Sequence, residues 1–169
     1  MLRELHAGLG IPADYGADGG PPAFDETDRL VDVGPNLVGR MQRLTPGTAR
    51  QWRAMVEAAG AVGIHLLIVS GFRSIDYQAA LIRNKLESGQ AITDILTVNA
   101  APGHSEHHTG RAVDIATPGS RPLTEAFEET DAFAWLTSRA IEFGFSMTYE
   151  RDNPWGIAYE PWHWSIKKA

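Results

Sequence analysis

One acid constrains this chain more than any other residue. Asp114 stands in the run Ala112-Val113-Asp114-Ile115-Ala116, with a β-branched residue on either side. Such a run reads as a buried strand. An ionised carboxylate there is costly to bury unless it meets a cation or several donors, so the fold has to bring a metal or an arginine to it. Strand alternation puts Ala112, Asp114 and Ala116 on one face, where the two alanines leave room for a ligand. The segment leading into the strand, Ser105-Glu106-His107-His108-Thr109-Gly110, carries two of the chain's six histidines.

The chain has no cysteine. Thiolate zinc sites, thiol nucleophiles and disulfides are therefore excluded, and any metal must be held by histidine and carboxylate. Three places collect suitable side chains: His104, Glu106, His107 and His108 with Asp114; the stretch EPWHW with Glu160 and His163; and SGFRS with Arg73. Zinc hydrolases use about three nitrogen or oxygen ligands and one open position, and a further carboxylate outside the ligand set moves the proton. Glu160 is a candidate for that carboxylate.

Each place also has a plainer reading. Paired histidines in a glycine-containing loop often cap turns or face solvent, EPWHW also suits an aromatic edge strand, and Arg73 also suits a surface ion pair. Glu160 and His163 are three positions apart. An ideal strand would point them to opposite faces, so a shared site requires a bulge or sharp twist at Pro161.

A chain of 169 residues suits one domain with a true core. The first 44 residues, rich in turn formers such as GADGGPP and VGPN, predict an extended arm wrapping a folded unit at 45–169. In TPGTARQWRAMVEAAG, Thr45 reads as an N-cap and Pro46 as the first helical residue, with Trp52, Met55, Val56 and Ala59 on one face and a stop at Gly60. IHLLIVSG reads as a buried strand that delivers SGFRS, and residues 74–88 read as a helix ending at Gly89. GRAVDIA reads as a strand, TDAFAWLTSRAIEFGF as a helix ending at Gly144, and FSMTYE and AYEPWHWSI as two strands joined at RDNPWG. Helices and strands that do not alternate regularly, ending in a hairpin, indicate an α+β fold with a small, largely antiparallel sheet packed by helices.

A formal net charge of −6 without a basic cluster argues against nucleic acid as a partner. No apolar run reaches membrane-span length, and MLRELHAGLG lacks the features of a signal peptide.

SGFRSIDYQ, SEHHTGRAVD and EPWHW, in that order, resemble the motifs of the VanY-type D-alanyl-D-alanine metallocarboxypeptidases, within the larger group that also includes the lysostaphin-type and hedgehog-type folds. SEHHTGRAVD fits the pattern S-x-H-x-x-G-x-A-x-D, and EPWHW fits E-x-W-H. The resemblance spans about Thr45 to Ser165 and implies a hedgehog or D,D-peptidase-like fold around a zinc cleft. It implies that His107, Asp114 and His163 hold Zn2+, that Glu160 is the general base and that Arg73 binds the substrate and polarises its carbonyl or holds its carboxylate. It further implies that Gln78 and Ser105 line the substrate site. His104 and His108 do not coincide with family ligands and are expected to be supporting or surface groups, and Glu106 is expected to be a decoy for the base.

The activity so implied is removal of the terminal D-Ala from peptidoglycan stem peptides or their precursors. Alternatives are cleavage of another bond in the same peptide, as by an L,D-carboxypeptidase, a D,D-dipeptidase or an endolysin-type endopeptidase, and a wall-binding module without turnover. The expected place of action is periplasmic or extracellular, in tension with the missing export signal.

Overall fold

The computed structural model describes residues 1–167, so the last two positions of the expected catalytic unit, 168–169, lie outside it. In chain order the elements are α1 (Leu2–Gly8), β1 (Val31–Pro35), β2 (Met41–Leu44), α2 (Pro46–Gly60), β3 (Leu67–Ser70), α3 (Ile75–Glu87) and α4 (Ile92–Val98). They are followed by β4 (Ala112–Ala116), α5 (Asp131–Arg139), β5 (Phe145–Met147) and β6 (His163–Ile166), with 3-10 turns at Glu106–Thr109, Glu125–Glu129 and Ala140–Phe143.

Helix starts follow their caps. The Thr45 side chain accepts from Thr48 N–H with Pro46 in the first turn, Ser74 accepts from Tyr77 N–H at 3.0 Å, and Thr130 accepts from Phe133 N–H at 3.1 Å. Each such cap satisfies a donor that the helix cannot, worth about 1 kcal/mol. The helix expected up to Gly144 is instead α5 followed by a 3-10 turn, which ends at Gly144 with φ +80°. That left-handed conformation suits glycine.

β3, β4, β6 and β5 form an antiparallel sheet in that order, so the fold is α+β as expected. β4 is central. Its Val113 and Ile115 enter the main core with Trp52, Met55, Leu136, Phe145 and Trp164. Burying each large apolar side chain of this kind contributes about 2 kcal/mol. The other face of β4 carries Asp114, whose register neighbours are His163 on β6 and Ser70 on β3. A second, smaller core joins Leu9 and Ile11 to Ala79, Ile82, Ile95 and Ala101.

Residues 1–44 are not extended throughout. They contain α1 and the antiparallel β1–β2 hairpin, in which a bulge between Asp32 and Gly34 shifts the register. A helix of seven residues is too short for a periodic signal, and the bulge breaks strict alternation in the hairpin. Between them, Phe24 N–H donates to Gly103 O at 2.8 Å and Thr27 N–H to His108 O at 3.0 Å. The N-terminal segment thus runs along the loop that carries His107.

Candidate metal centre and active site

His107, Asp114 and His163 meet in one buried place. Each offers one donor atom, and these atoms lie within 4.8 Å of one another. β4 and β6 supply Asp114 and His163 as directly opposed residues, with His163 Nδ1 2.9 Å from Asp114 Oδ1. His107 comes from the 3-10 turn before β4, closed by Gly110 at φ +63°, and its Nε2 lies 3.2 Å from Asp114 Oδ2.

The far side of each imidazole is held. His107 Nδ1–H donates to Gly71 O at 2.6 Å, and His163 Nε2 lies 2.8 Å from Glu106 Oε2. This orients His107 Nε2 and His163 Nδ1 toward the centre, and it leaves the Nε2 lone pair of His107 facing inward. His107 Nε2 is fully buried with no hydrogen-bond partner. A buried, unpartnered imidazole nitrogen beside a second imidazole and a carboxylate fits a divalent ion such as zinc, for which two nitrogens and one oxygen are a common ligand set.

The electrostatics carry the same imprint. Burial, aided by the Arg73 charge, pushes the His107 pKa down to about 4. Burial also opposes charge on His163, yet its hydrogen bonds to Asp114 and Glu106 outweigh it and push the pKa up to about 10. Asp114 is held well below the usual carboxylate range despite burial, because His107 and His163 face it. Two carboxylates around two histidines leave a negative centre whenever the imidazoles are neutral, a field that draws a cation.

Glu160 stands at the edge of this group. His163 N–H donates to Glu160 O at 3.1 Å, so Glu160-Pro161-Trp162-His163 is a tight turn that precedes β6. Pro161, with its fixed φ, suits the second position of such a turn. The turn brings Glu160 Oε2 to 3.9 Å from His163 Nδ1, meeting the demand that the three-residue spacing raised. Burial first, then the Asp114 charge, raises the Glu160 pKa to about 7, against the pull of His163 and Arg73. A carboxyl poised near neutrality both accepts and returns a proton.

Arg73, Gln78, Ser105, His107, Glu160 and His163 line one narrow pocket together with Tyr149. Arg73 Nε and Gln78 Oε1 are buried without partners, although Gln78 Nε2 donates to Ala100 O at 2.8 Å. Among the described residues, three of the five buried unpartnered side-chain atoms, on Arg73, Gln78 and His107, border this pocket. Native proteins rarely leave such atoms orphaned unless a ligand completes them.

The histidines that match no family ligand are both buried. His108 Nδ1–H donates to Arg73 O at 2.7 Å while its Nε2 accepts from Gly103 N–H at 3.0 Å, and His104 Nδ1 lies 2.8 Å from Pro21 O. Glu106 holds His163 and is itself held by Thr148 Oγ1 at 2.7 Å and Lys167 Nζ at 2.7 Å. Burial opposes ionisation of Glu106, yet His163 and Lys167 keep its pKa below the usual range. Nothing local to the sequence points to Tyr149, whose ring centroid lies 4.8 Å from that of His163.

Residues 41–167 match the family described as VanY, D-alanyl-D-alanine carboxypeptidase. YodJ of Bacillus subtilis (strain 168) is 35% identical over 149 residues, covering 85% of this chain and 54% of that protein. The structure of the LdcB LD-carboxypeptidase superposes with a TM-score of 0.75 at 32% identity, covering 86% of this chain and 71% of the other. That of the vancomycin-resistance D,D-dipeptidase VanXYg, in complex with a D-Ala-D-Ala phosphinate analogue, superposes with a TM-score of 0.70 at 25% identity, covering 88% and 59%. The chain spans about half the length of the curated relatives it matches, from 43% to 65%.

Proposed function

Because the chain belongs to the VanY family of D-alanyl-D-alanine carboxypeptidases, we propose that it is a zinc-dependent carboxypeptidase that removes the terminal D-alanine from peptidoglycan stem peptides. The observation that carries this reading is the shared pocket of unpartnered polar atoms, in which a metal-ligand donor, a cationic donor and an amide acceptor all lack partners.

In this reading His107, Asp114 and His163 hold the ion. Zinc bound there supplies a Lewis acid that acidifies water and polarises a carbonyl oxygen. Glu160 takes the proton of the attacking water and returns it to the leaving amine nitrogen, a role its place beside the donor group, 3.9 Å from His163 Nδ1, suits. Arg73 offers its guanidinium to the oxyanion or to the substrate's terminal carboxylate, where a fixed cation in a water-poor pocket acts strongly. Gln78 Oε1 is an acceptor for a substrate N–H, and Ser105 borders the same space. Residues 45–169 are the catalytic unit in this reading, and 1–44 the arm that braces its His107 loop. Among the described residues no helix is long and apolar enough to cross a membrane. Peptidoglycan as substrate favours action outside the cytoplasmic membrane.

A second reading, L,D-carboxypeptidase, is supported by the likeness to the LdcB LD-carboxypeptidase. Mass analysis of products from a pentapeptide stem ending in D-Ala-D-Ala and from the tetrapeptide lacking the last D-Ala tests both. Loss of one alanine from the pentapeptide alone supports the first reading, and loss from the tetrapeptide alone supports the second.

A further inference from the structure

A second, wider cleft of about 410 Å³ adjoins the metal centre, with Arg73 and Asp114 in its wall. Its charge reverses that of the molecule. The chain carries a net charge of −6, yet this cleft is lined by Arg40, Arg43 and Arg73 and by a single acid, Asp114, which the proposed ion would neutralise. Among the described residues none of the three arginines is in an ion pair; Arg40 Nη1 donates only to the Tyr77 hydroxyl at 3.0 Å. The Arg40 guanidinium lies 5.7 Å from the Tyr77 ring centroid and that of Arg43 lies 5.6 Å from the Phe72 ring centroid. Cation–π contact of this kind holds a guanidinium near the ring without using up its charge.

The arginines are also fixed relative to the metal centre. Phe72 N–H donates to Arg43 O at 2.9 Å, Gly71 N–H to Gln42 Oε1 at 2.9 Å and Asn36 Nδ2 to Val69 O at 3.1 Å. These bonds tie the β1–β2 hairpin to the strand and loop whose Gly71 carbonyl orients His107. Leu123, which also lines the cleft, is 49% exposed and adopts φ +56°. A bulky residue in the left-handed region is strained, and such strain gathers at binding sites.

We propose that this cleft is a carboxylate-binding subsite, in which Arg40 and Arg43 grip an acidic residue of the peptide on the N-terminal side of the scissile bond. The proposal rests on the peptidase reading for the direction of the chain. The narrow Glu160 pocket and the arginine cleft share Arg73 as a wall, so a substrate whose last residue fills the pocket has the cleft beside it for its preceding residues. Planar guanidiniums match a carboxylate in bidentate geometry, whereas a carboxamide of the same shape offers only one acceptor and no charge.

The test is binding without turnover. Metal-loaded Glu160→Gln protein is titrated calorimetrically with N-acetylated tetrapeptides ending in D-Ala-D-Ala that carry either Glu or Gln at the two preceding positions. The Glu peptide is expected to bind about tenfold tighter, the scale of charged hydrogen bonds in a half-exposed cleft. Adding Arg40→Gln and Arg43→Gln should erase the preference, which should also shrink with rising salt. Equal affinity for both peptides, no binding of either, or a preference that survives the double substitution overturns the subsite. Parallel assays of the wild-type protein keep the two ideas apart. Cleavage of both peptides without a binding preference leaves the peptidase and removes the subsite, whereas preferential binding without cleavage does the reverse.

Discussion

His163 hangs between two carboxylates, its Nδ1 2.9 Å from Asp114 Oδ1 and its Nε2 2.8 Å from Glu106 Oε2. Glu106 is therefore the group that sets which nitrogen of His163 faces the centre. Glu106→Gln keeps the shape and removes the charge. It is expected to weaken zinc binding about 10- to 100-fold, as loss of a ligand's supporting carboxylate typically does. Competition with a chromogenic chelator measures this, and unchanged affinity would mean that the contact does not support the ligand.

Glu160 lies outside the donor group but beside it, 3.9 Å from His163 Nδ1. Glu160→Gln and Glu160→Ala should retain one equivalent of zinc and lose about 10²- to 10⁴-fold in kcat, the range that a general base supplies. Loss of zinc in either variant would make Glu160 a ligand.

Gly71 is squeezed from two directions. Its N–H donates to Gln42, its carbonyl accepts from His107, and a Cβ built on it would sit 2.7 Å from Arg43 O. Gly71→Ala must push the loop away from β2, at a cost of about 1–3 kcal/mol, and carry the carbonyl away from His107. Thermal unfolding of the zinc-loaded protein should show a lower Tm, together with weaker zinc binding. A Tm and affinity equal to the parent would contradict the tight packing described.

Metal removal should lower stability without unfolding the chain. The sheet and both apolar cores do not depend on the ion, and His163 as imidazolium pairs with the carboxylates in its absence. At a free zinc concentration about 1,000 times its Kd, the ion should add about 4 kcal/mol. A melt with and without chelator shows this as a Tm difference between two cooperative transitions. An unfolded apo protein would make the metal a condition of folding instead.

Much of the geometry of the candidate site was legible in the sequence for physical reasons. Asp114 between Val113 and Ile115 announced a buried charge, and the spacing of Glu160 and His163 demanded a turn that Pro161 provides. The cap at Thr45 marked a helix start because its side chain satisfies a donor the helix leaves open. Other features were hidden. α1 and α4, at seven residues each, are too short to show a helical period, and the bulged β1 blurs its own alternation. Glu106 reads as a rival base in a motif, and only the folding of its 3-10 turn beside β6 reveals that it faces the outer nitrogen of His163. Tyr149 and the Arg40–Arg43 cleft depend on long-range packing that no local pattern encodes.

The most direct test of the zinc carboxypeptidase reading is release of free D-alanine from a pentapeptide stem ending in D-Ala-D-Ala, followed with zinc-loaded, chelated and Glu160→Gln protein side by side. One D-alanine should be released per peptide by the zinc-loaded protein alone, with recovery when zinc is returned to the chelated sample. Equal release by the chelated protein or by Glu160→Gln would contradict it, as would no release from a protein that holds a full equivalent of zinc.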